Sequence, residues 1–141
     1  MLDPRLKNFQ TDPGFDPAED YTGPFYYKNE AGQFVCAFVP ETKNCNTYGG
    51  VHGGVLMTFA DFSLCMAATN HYNKENCVTV SFNADFIAGA SVGDLIICRP
   101  EIIRKTKSLA FVNGRLETES EVIMTFSSVV KRYIESTTLT Y

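Results

Sequence analysis

The chain has 141 residues, 45% hydrophobic and 20% charged, a composition suited to one domain that can bury its own core. Its net charge of −4 excludes a general nucleic-acid binder, which needs a basic surface, and no RNA-binding or helix-turn-helix signature is present. Five scattered cysteines without CxxC spacing, and only two histidines (His52, His71), argue against disulfide, zinc and His-rich metal frameworks.

Residues 1–24 contain four prolines, several acids and no sustained period. They read as an N-terminal arm on the surface, with a short helix near Pro4–Phe9, ahead of a single domain over residues 25–141. No apolar signal core accompanies Asp3, Arg5 and Lys7. The longest apolar run, Val55–Ala68, is too short for a membrane span. A cytoplasmic protein with no membrane or nucleic-acid partner is expected. From Phe25 the pattern predicts a hairpin: FYYKN, a turn at Glu30-Ala31-Gly32, then QFVCAFVP ending at Pro40. A polar loop, Glu41–Gly50, follows.

The chain is organised around Val51–Thr69. Between Val55 and Ala68 only Asp61 is charged, and Thr58 and Ser63 are the only other polar residues. A helix apolar on every side is normally buried on every side, and this one should end near Asn70. Asp61 is then an ionisable group inside a core, costly unless it has partners or a task. Ahead of it stands His52-Gly53-Gly54, glycines that let backbone approach something closely. A helix opening there aims free amides and the positive end of its dipole at that something. An electrophilic helix start and one buried carboxylate together suggest acyl chemistry.

After Asn76 the period becomes two. In CVTVSFNADF, Val78, Val80, Phe82, Ala84 and Phe86 fall on one face, with Thr79, Ser81, Asn83 and Asp85 on the other. DLIICRPEIIRK reads as one long strand whose Pro100 implies an edge or a bulge. LAFVNGRLET and EVIMTFSSVVKRY complete four strands after the helix. Short connections favour antiparallel neighbours, and one helix is buried only if a curved sheet wraps it. The expected class is α+β, a helix held against a single bent antiparallel sheet.

That order resembles the hotdog fold, in which a curved sheet wraps one central helix. More narrowly it is similar to acyl-CoA thioesterases of the phenylacetate-pathway and 4-hydroxybenzoyl-CoA type. The match rests on Asn46, then His52-Gly53-Gly54, then Asp61 nine residues after the histidine, then Thr79 in an alternating strand, and Gly93-Asp94 as the lead-in to the next. The resemblance implies that the Gly53 amide and Asn46 polarise a thioester carbonyl and that Asp61 acts as general base or nucleophile. Thr79 would help place water. It also implies a coenzyme A groove at Gly54, along Phe86, Ile87, Ala88, Gly89, Ala90 and Ser91, and at the turn Arg104, Lys105, Thr106, Lys107, Ser108. That turn departs from the family, which often has glycine where Thr106 precedes Lys107. No metal or bound cofactor is expected; coenzyme A enters as part of the substrate.

Helix geometry adds a constraint of its own. Gly53 and Asp61 are eight residues apart, about 12 Å along one axis at ~1.5 Å per residue. One carbonyl carbon cannot lie about 3 Å from both on the same chain. The expectation is a homodimer with composite sites, with pairing of dimers left open. Several residues keep a purely structural reading: His52 bonded into its loop, Asn46 as a turn residue, Thr79 as a solvent-side strand residue. A Cys45–His52 nucleophilic pair lacks an orienting third group. Two other functions remain open on the same fold: a dehydratase or hydratase, and a non-catalytic acyl-CoA-binding or sensing subunit.

Overall fold

The architecture follows from the need to cover one apolar helix. In the computed structural model, which describes residues 2–134, that helix is α2, Gly53–Ala68. The arm before the core carries a 3₁₀ turn at Pro4–Leu6 and a helix α1 at Pro17–Thr22. The strands are β1 (Tyr26–Glu30), β2 (Gln33–Phe38), β3 (Glu75–Phe86), β4 (Ile96–Cys98), β5 (Glu101–Lys105), β6 (Leu109–Glu117) and β7 (Val122–Ile134). They form one antiparallel sheet in the order β1-β2-β4-β6-β7-β3, with β5 also paired to β6. Strands β2, β3, β5, β6 and β7 all contact α2, so the sheet bends around the helix. No described helix is long and apolar enough to cross a membrane.

The hairpin forms where expected. Ala31 and Gly32 take φ of +52° and +88°, both positive, as a two-residue turn matched to strand twist requires. Inside the curve, Phe59 packs with Phe25, Phe38 and Phe62 at centroid distances of 5.3–6.4 Å. Phe59, Leu64 and Ala68 are fully buried, each large side chain contributing on the order of 1.5–3 kcal/mol.

Four expectations need correction. DLIICRPEIIRK is not one strand: the ladder breaks around Pro100, which has no N–H to donate, and resumes as β5. Within β5 the register shifts again between Ile102 and Arg104. Second, the faces of β3 are not constant along its length. A bulge between Thr79 and Ser81 inserts Val80 and inverts the alternation. Cys77, Phe82 and Ala84 pack toward the core and Thr79 reaches the α2 carboxylate, whereas Val80 is 59% exposed. Third, α2 is not covered all round. Gly54, Met57 and Asp61, at i, i+3 and i+7, form a stripe the sheet leaves partly open, with Met57 39% exposed. Fourth, α1 was not anticipated, although Asp16-Pro17-Ala18-Glu19 carries its signal. Asp16 caps with Oδ1 accepting the Glu19 amide at 3.0 Å, and Pro17 occupies the first turn.

Asn44 sets where α2 begins. Its side chain is buried, accepts the Glu41 amide at 2.9 Å and donates to the Thr22 carbonyl at 2.7 Å. Its own carbonyl accepts the His52 amide at 2.8 Å. Asn44→Ala should leave two partly buried backbone groups, the Glu41 amide and the Thr22 carbonyl, without this partner and lower stability by about 2 kcal/mol. Urea unfolding followed by circular dichroism measures this, and a loss below about 0.5 kcal/mol would contradict the role.

Candidate active site

The start of α2 is an open electrophilic end. His52 is its N-cap, with Nδ1 accepting the Gly54 amide at 2.9 Å. The His52 carbonyl accepts the amides of Val55 and Leu56 at 2.9 and 3.2 Å. Of the first-turn donors, that leaves the Gly53 N–H without an acceptor among the described residues, at the positive end of a 16-residue helix. The Nδ1 nitrogen of His52 is thus committed to the helix cap. Cys45 Sγ lies 3.7 Å from the Glu41 carbonyl, and no Cys45–His52 bond forms.

Asn46 organises the loop before the helix. Its Oδ1 accepts the amides of Tyr48 and Gly50 at 2.9 and 3.3 Å, and Cys45 bridges Val51. With Oδ1 engaged, the exposed Nδ2 is the group left for an incoming carbonyl.

Asp61 sits two turns further along α2, half-buried. Thr79 of β3 donates to its Oδ1 at 2.6 Å. Cys65 Sγ lies 3.9 Å from the same oxygen and 3.6 Å from Thr79 Oγ1. Burial pushes the Asp61 carboxyl above the ordinary aspartate range, while Thr79 and Cys65 act in the opposite sense and Asp16 adds to the rise. The result is a base of increased strength with Oδ2 free. A hydrogen bond with Cys77, then burial and the Asp61 charge, hold the Cys65 thiol well above its usual range, so it stays protonated. Sequence reasoning missed Cys65, although its i+4 spacing from Asp61 puts the two side by side on a helix.

The two segments proposed to contact coenzyme A lie apart. Phe86–Ser91 borders the helix start: the Phe86 ring would be 3.1 Å from a Cβ placed on Gly53, and the Ala90 carbonyl accepts the Val51 amide at 2.9 Å. Phe86 and Ile87 are more than half exposed, whereas Ala90 is buried. Arg104–Ser108 lies near the other end of β3. Arg132 there binds the Thr106 carbonyl and pairs with Glu75 at 2.8 and 3.0 Å, and its amide donates to the Ser108 carbonyl. Lys105 also faces Glu75 at 3.9 Å. Glu75 and Phe86 bound a 12-residue strand, roughly 36 Å end to end at ~3.3 Å per residue. One chain therefore presents Gly53 with Phe86–Ser91 in one place, and Asp61 with Thr79 in another, and does not unite them.

A sequence profile described as the thioesterase superfamily matches residues 48–125, a stretch that contains the helix start, Asp61, Thr79 and Phe86–Ser91. This chain belongs to the thioesterase superfamily. It is therefore a thioester hydrolase by family. A Pseudomonas aeruginosa protein whose name proposes an esterase is 33% identical over 115 residues, covering 80% of this chain and 86% of that one. Human acyl-coenzyme A thioesterase 13 is 27% identical over 89 residues, 63% of this chain and 64% of its own length. Among solved structures, the Escherichia coli PaaI protein of the phenylacetic acid degradation operon superposes with a TM-score of 0.74 at 16% identity, over 84% and 85% of the two chains. Zebrafish thioesterase superfamily member 2 gives 0.72 at 24%, over 85% and 87%. These likenesses establish the hotdog fold for the thioesterase chain.

The Asp61 environment has a stability signature. A carboxyl raised in the folded state binds its proton more tightly there than in the unfolded chain. The stability it contributes is full below the ordinary aspartate range and is lost as pH rises through the folded value. Asp61→Asn, which still accepts the Thr79 hydroxyl, should therefore melt above the wild type at pH 8. The gap should close as pH falls toward the ordinary carboxylate range. Differential scanning calorimetry from pH 4 to 8 reads it, and a gap of reversed sign would refute the assignment.

Proposed function

We propose that this thioesterase hydrolyses acyl-CoA thioesters to free acid and coenzyme A, at sites shared between two copies of the chain. The observation that carries the reading is the division of one helix: an unpaired Gly53 amide at its start, and a Thr79-bonded carboxylate about 12 Å along it. A second copy with its helix antiparallel would set Gly53 of each chain opposite Asp61 of the other. The open stripe Gly54–Met57–Asp61 is centred on Met57, so an isologous contact there would meet itself. It would also bring Phe86–Ser91 of one copy nearer to Arg104–Ser108 of the other, joining both expected coenzyme A segments.

In that arrangement the thioester oxygen accepts from the Gly53 amide and from Asn46 Nδ2, donors fixed before charge develops on it. Asp61 Oδ2 removes a proton from water as that water attacks the carbonyl carbon, or attacks the carbon itself to give an Asp61 acyl anhydride that water then hydrolyses to the free acid and the restored carboxylate. The C–S bond breaks and coenzyme A leaves as its thiolate. Thr79 holds Oδ1, so Oδ2 is the oxygen offered to the reaction, and the cationic turn Arg104–Lys107 suits the phosphates of coenzyme A. The human relative is named as an acyl-coenzyme A thioesterase, which supports this substrate class.

Thiol release from phenylacetyl-, benzoyl-, hexanoyl- and palmitoyl-CoA tests the activity. Asp61→Asn should lower turnover at least about 100-fold. Gly53→Pro removes the amide at a first-turn position that accepts proline, after His52 in an extended conformation (φ −63°, ψ 134°). It should cost on the order of 100-fold in kcat, whereas Gly53→Ala, which brings the same Cβ to 3.1 Å from the Phe86 ring but keeps the amide, should lose far less. Neither Asp61→Asn nor Gly53→Pro is active alone, but mixed dimers of the two contain one intact composite site. Co-expression at equal levels puts about half of the protein in mixed dimers with one working site of two, so about a quarter of wild-type activity should return, and no restoration would refute the shared site. Thr79→Val removes a donor to the ionised acid and should move the acid limb of the pH–rate profile to higher pH.

A further inference from the structure

The chain is acidic overall, yet half of its Lys and Arg residues gather at one end of the sheet. The ladders bring the start of β3, the ends of β5 and β7 and the start of β6 together there. Cys77 pairs with Arg132, Val78 and Leu109 both pair with Lys131, and Lys105 pairs with Ala110. Lys74, Arg104, Lys105, Lys107, Lys131 and Arg132 lie on or beside these segments, six of the 12 Lys and Arg residues in the sequence. Glu75 is the acid that pairs with them. Positive charge concentrated in this way attracts polyanions such as phosphates.

Arg132 ties three segments together at this end. Its Nε and Nη2 donate to the two Glu75 oxygens at 2.8 and 3.0 Å, a bidentate fork that lysine cannot form. Its Nη1 donates to the Thr106 carbonyl, and its backbone amide donates to the Ser108 carbonyl at 2.7 Å. Thr106 closes the same turn: its amide donates to the Leu109 carbonyl at 2.8 Å, and its Oγ1 accepts the Leu109 amide at 3.0 Å. Bonds from β7 and from Thr106 thus shape a turn that has no glycine. The Arg132 and Glu75 side chains are only 12% and 10% exposed, which shelters the pair from salt. Glu75 also draws Lys105, at 3.9 Å, and Lys131 lies over the Tyr133 ring at 5.6 Å. Arg104 and Lys107 have no ion-pair partner among the described residues.

We propose that Glu75 and Arg132 are positioning residues for coenzyme A: the pair fixes the turn that offers Arg104 and Lys107 to the phosphates, and Glu75 holds Lys105 back from them. The proposal rests on the thioesterase reading above. Neither residue bonds Asp61 or Gly53, so their effect is confined to substrates that carry the phosphates.

The test compares two thioesters of one acyl group on the full chain, one of coenzyme A and one of N-acetylcysteamine, which presents the same C–S bond without phosphates. Arg132→Lys, which keeps the charge and loses the fork, should lower kcat/KM for the coenzyme A thioester on the order of tenfold, through KM. The double variant Glu75→Gln/Arg132→Met leaves no buried charge unpaired and should do the same, which guards against a folding defect in the single variant. Both should keep kcat/KM for the N-acetylcysteamine thioester within about twofold of wild type. Arg104→Ala and Lys107→Ala should each raise KM for the coenzyme A thioester more than Lys105→Ala does. Equal losses on the two thioesters would mark a merely structural pair and overturn the proposal. So would an unchanged KM in both Arg132 variants, or Lys105→Ala as the largest of the three alanine effects. Calorimetric titration with free coenzyme A reads the same device without turnover, and wild type should bind about tenfold tighter than either Arg132 variant. If wild type binds coenzyme A but hydrolyses neither thioester, the thioesterase reading fails and the titration still decides the role of the pair. Wild type that does not bind coenzyme A overturns the proposal.

Discussion

Placing one carboxylate inside an apolar helix is the constraint on which the rest of the structure depends. A helix made almost entirely of Val, Leu, Phe, Met and Ala is stable in water only when covered, and a single sheet covers it only by curving. The carboxylate then loses most of its water. Three features offset that loss: the Thr79 hydroxyl at 2.6 Å, the Cys65 thiol beside it, and an edge of α2 that the sheet leaves partly open. Together they leave Asp61 ionisable but basic, the condition a general base requires.

The same helix separates electrophile from base. Its N-terminus supplies the Gly53 amide because His52 satisfies the neighbouring donors, and its middle supplies the acid. A rigid helix holds the two about 12 Å apart, and no local rearrangement brings them together. The proposed pairing of two copies turns this separation into a device, since antiparallel helices exchange ends. The bulge at Val80 belongs to the same economy of position. By inverting the alternation of β3 it brings Thr79 to Asp61 while Phe82 and Ala84 still face the core.

The central features were legible because they are local. The apolar run with one acid, the glycines behind His52, and the two-residue hairpin turn each declare themselves within a few residues. Misreadings arose where a distant partner or a single inserted residue overrode the period. Thr79 sits on the solvent face by simple alternation and reaches Asp61 only because Val80 bulges. Pro100 marked an irregularity, but an edge, a bulge and a break read alike until pairing with β6 is known. Met57 reads as core by composition and lies on the open stripe. Asp16-Pro17-Ala18-Glu19 was a readable helix start obscured by the prolines and acids around it.

The sequence by itself determined the helix, its electrophilic start, the acid within it and the strand order that must wrap it, because these depend on periodicity, capping and steric demands between near neighbours. Tertiary structure alone decided which oxygen of Asp61 is engaged, that Cys65 and Thr79 meet there, and that Asn44 anchors the helix start. Those relations join residues separated by as many as 22 positions, as for Asn44 and Thr22. They depend on how the sheet curves and where the arm crosses the helix, and no short-range pattern encodes that.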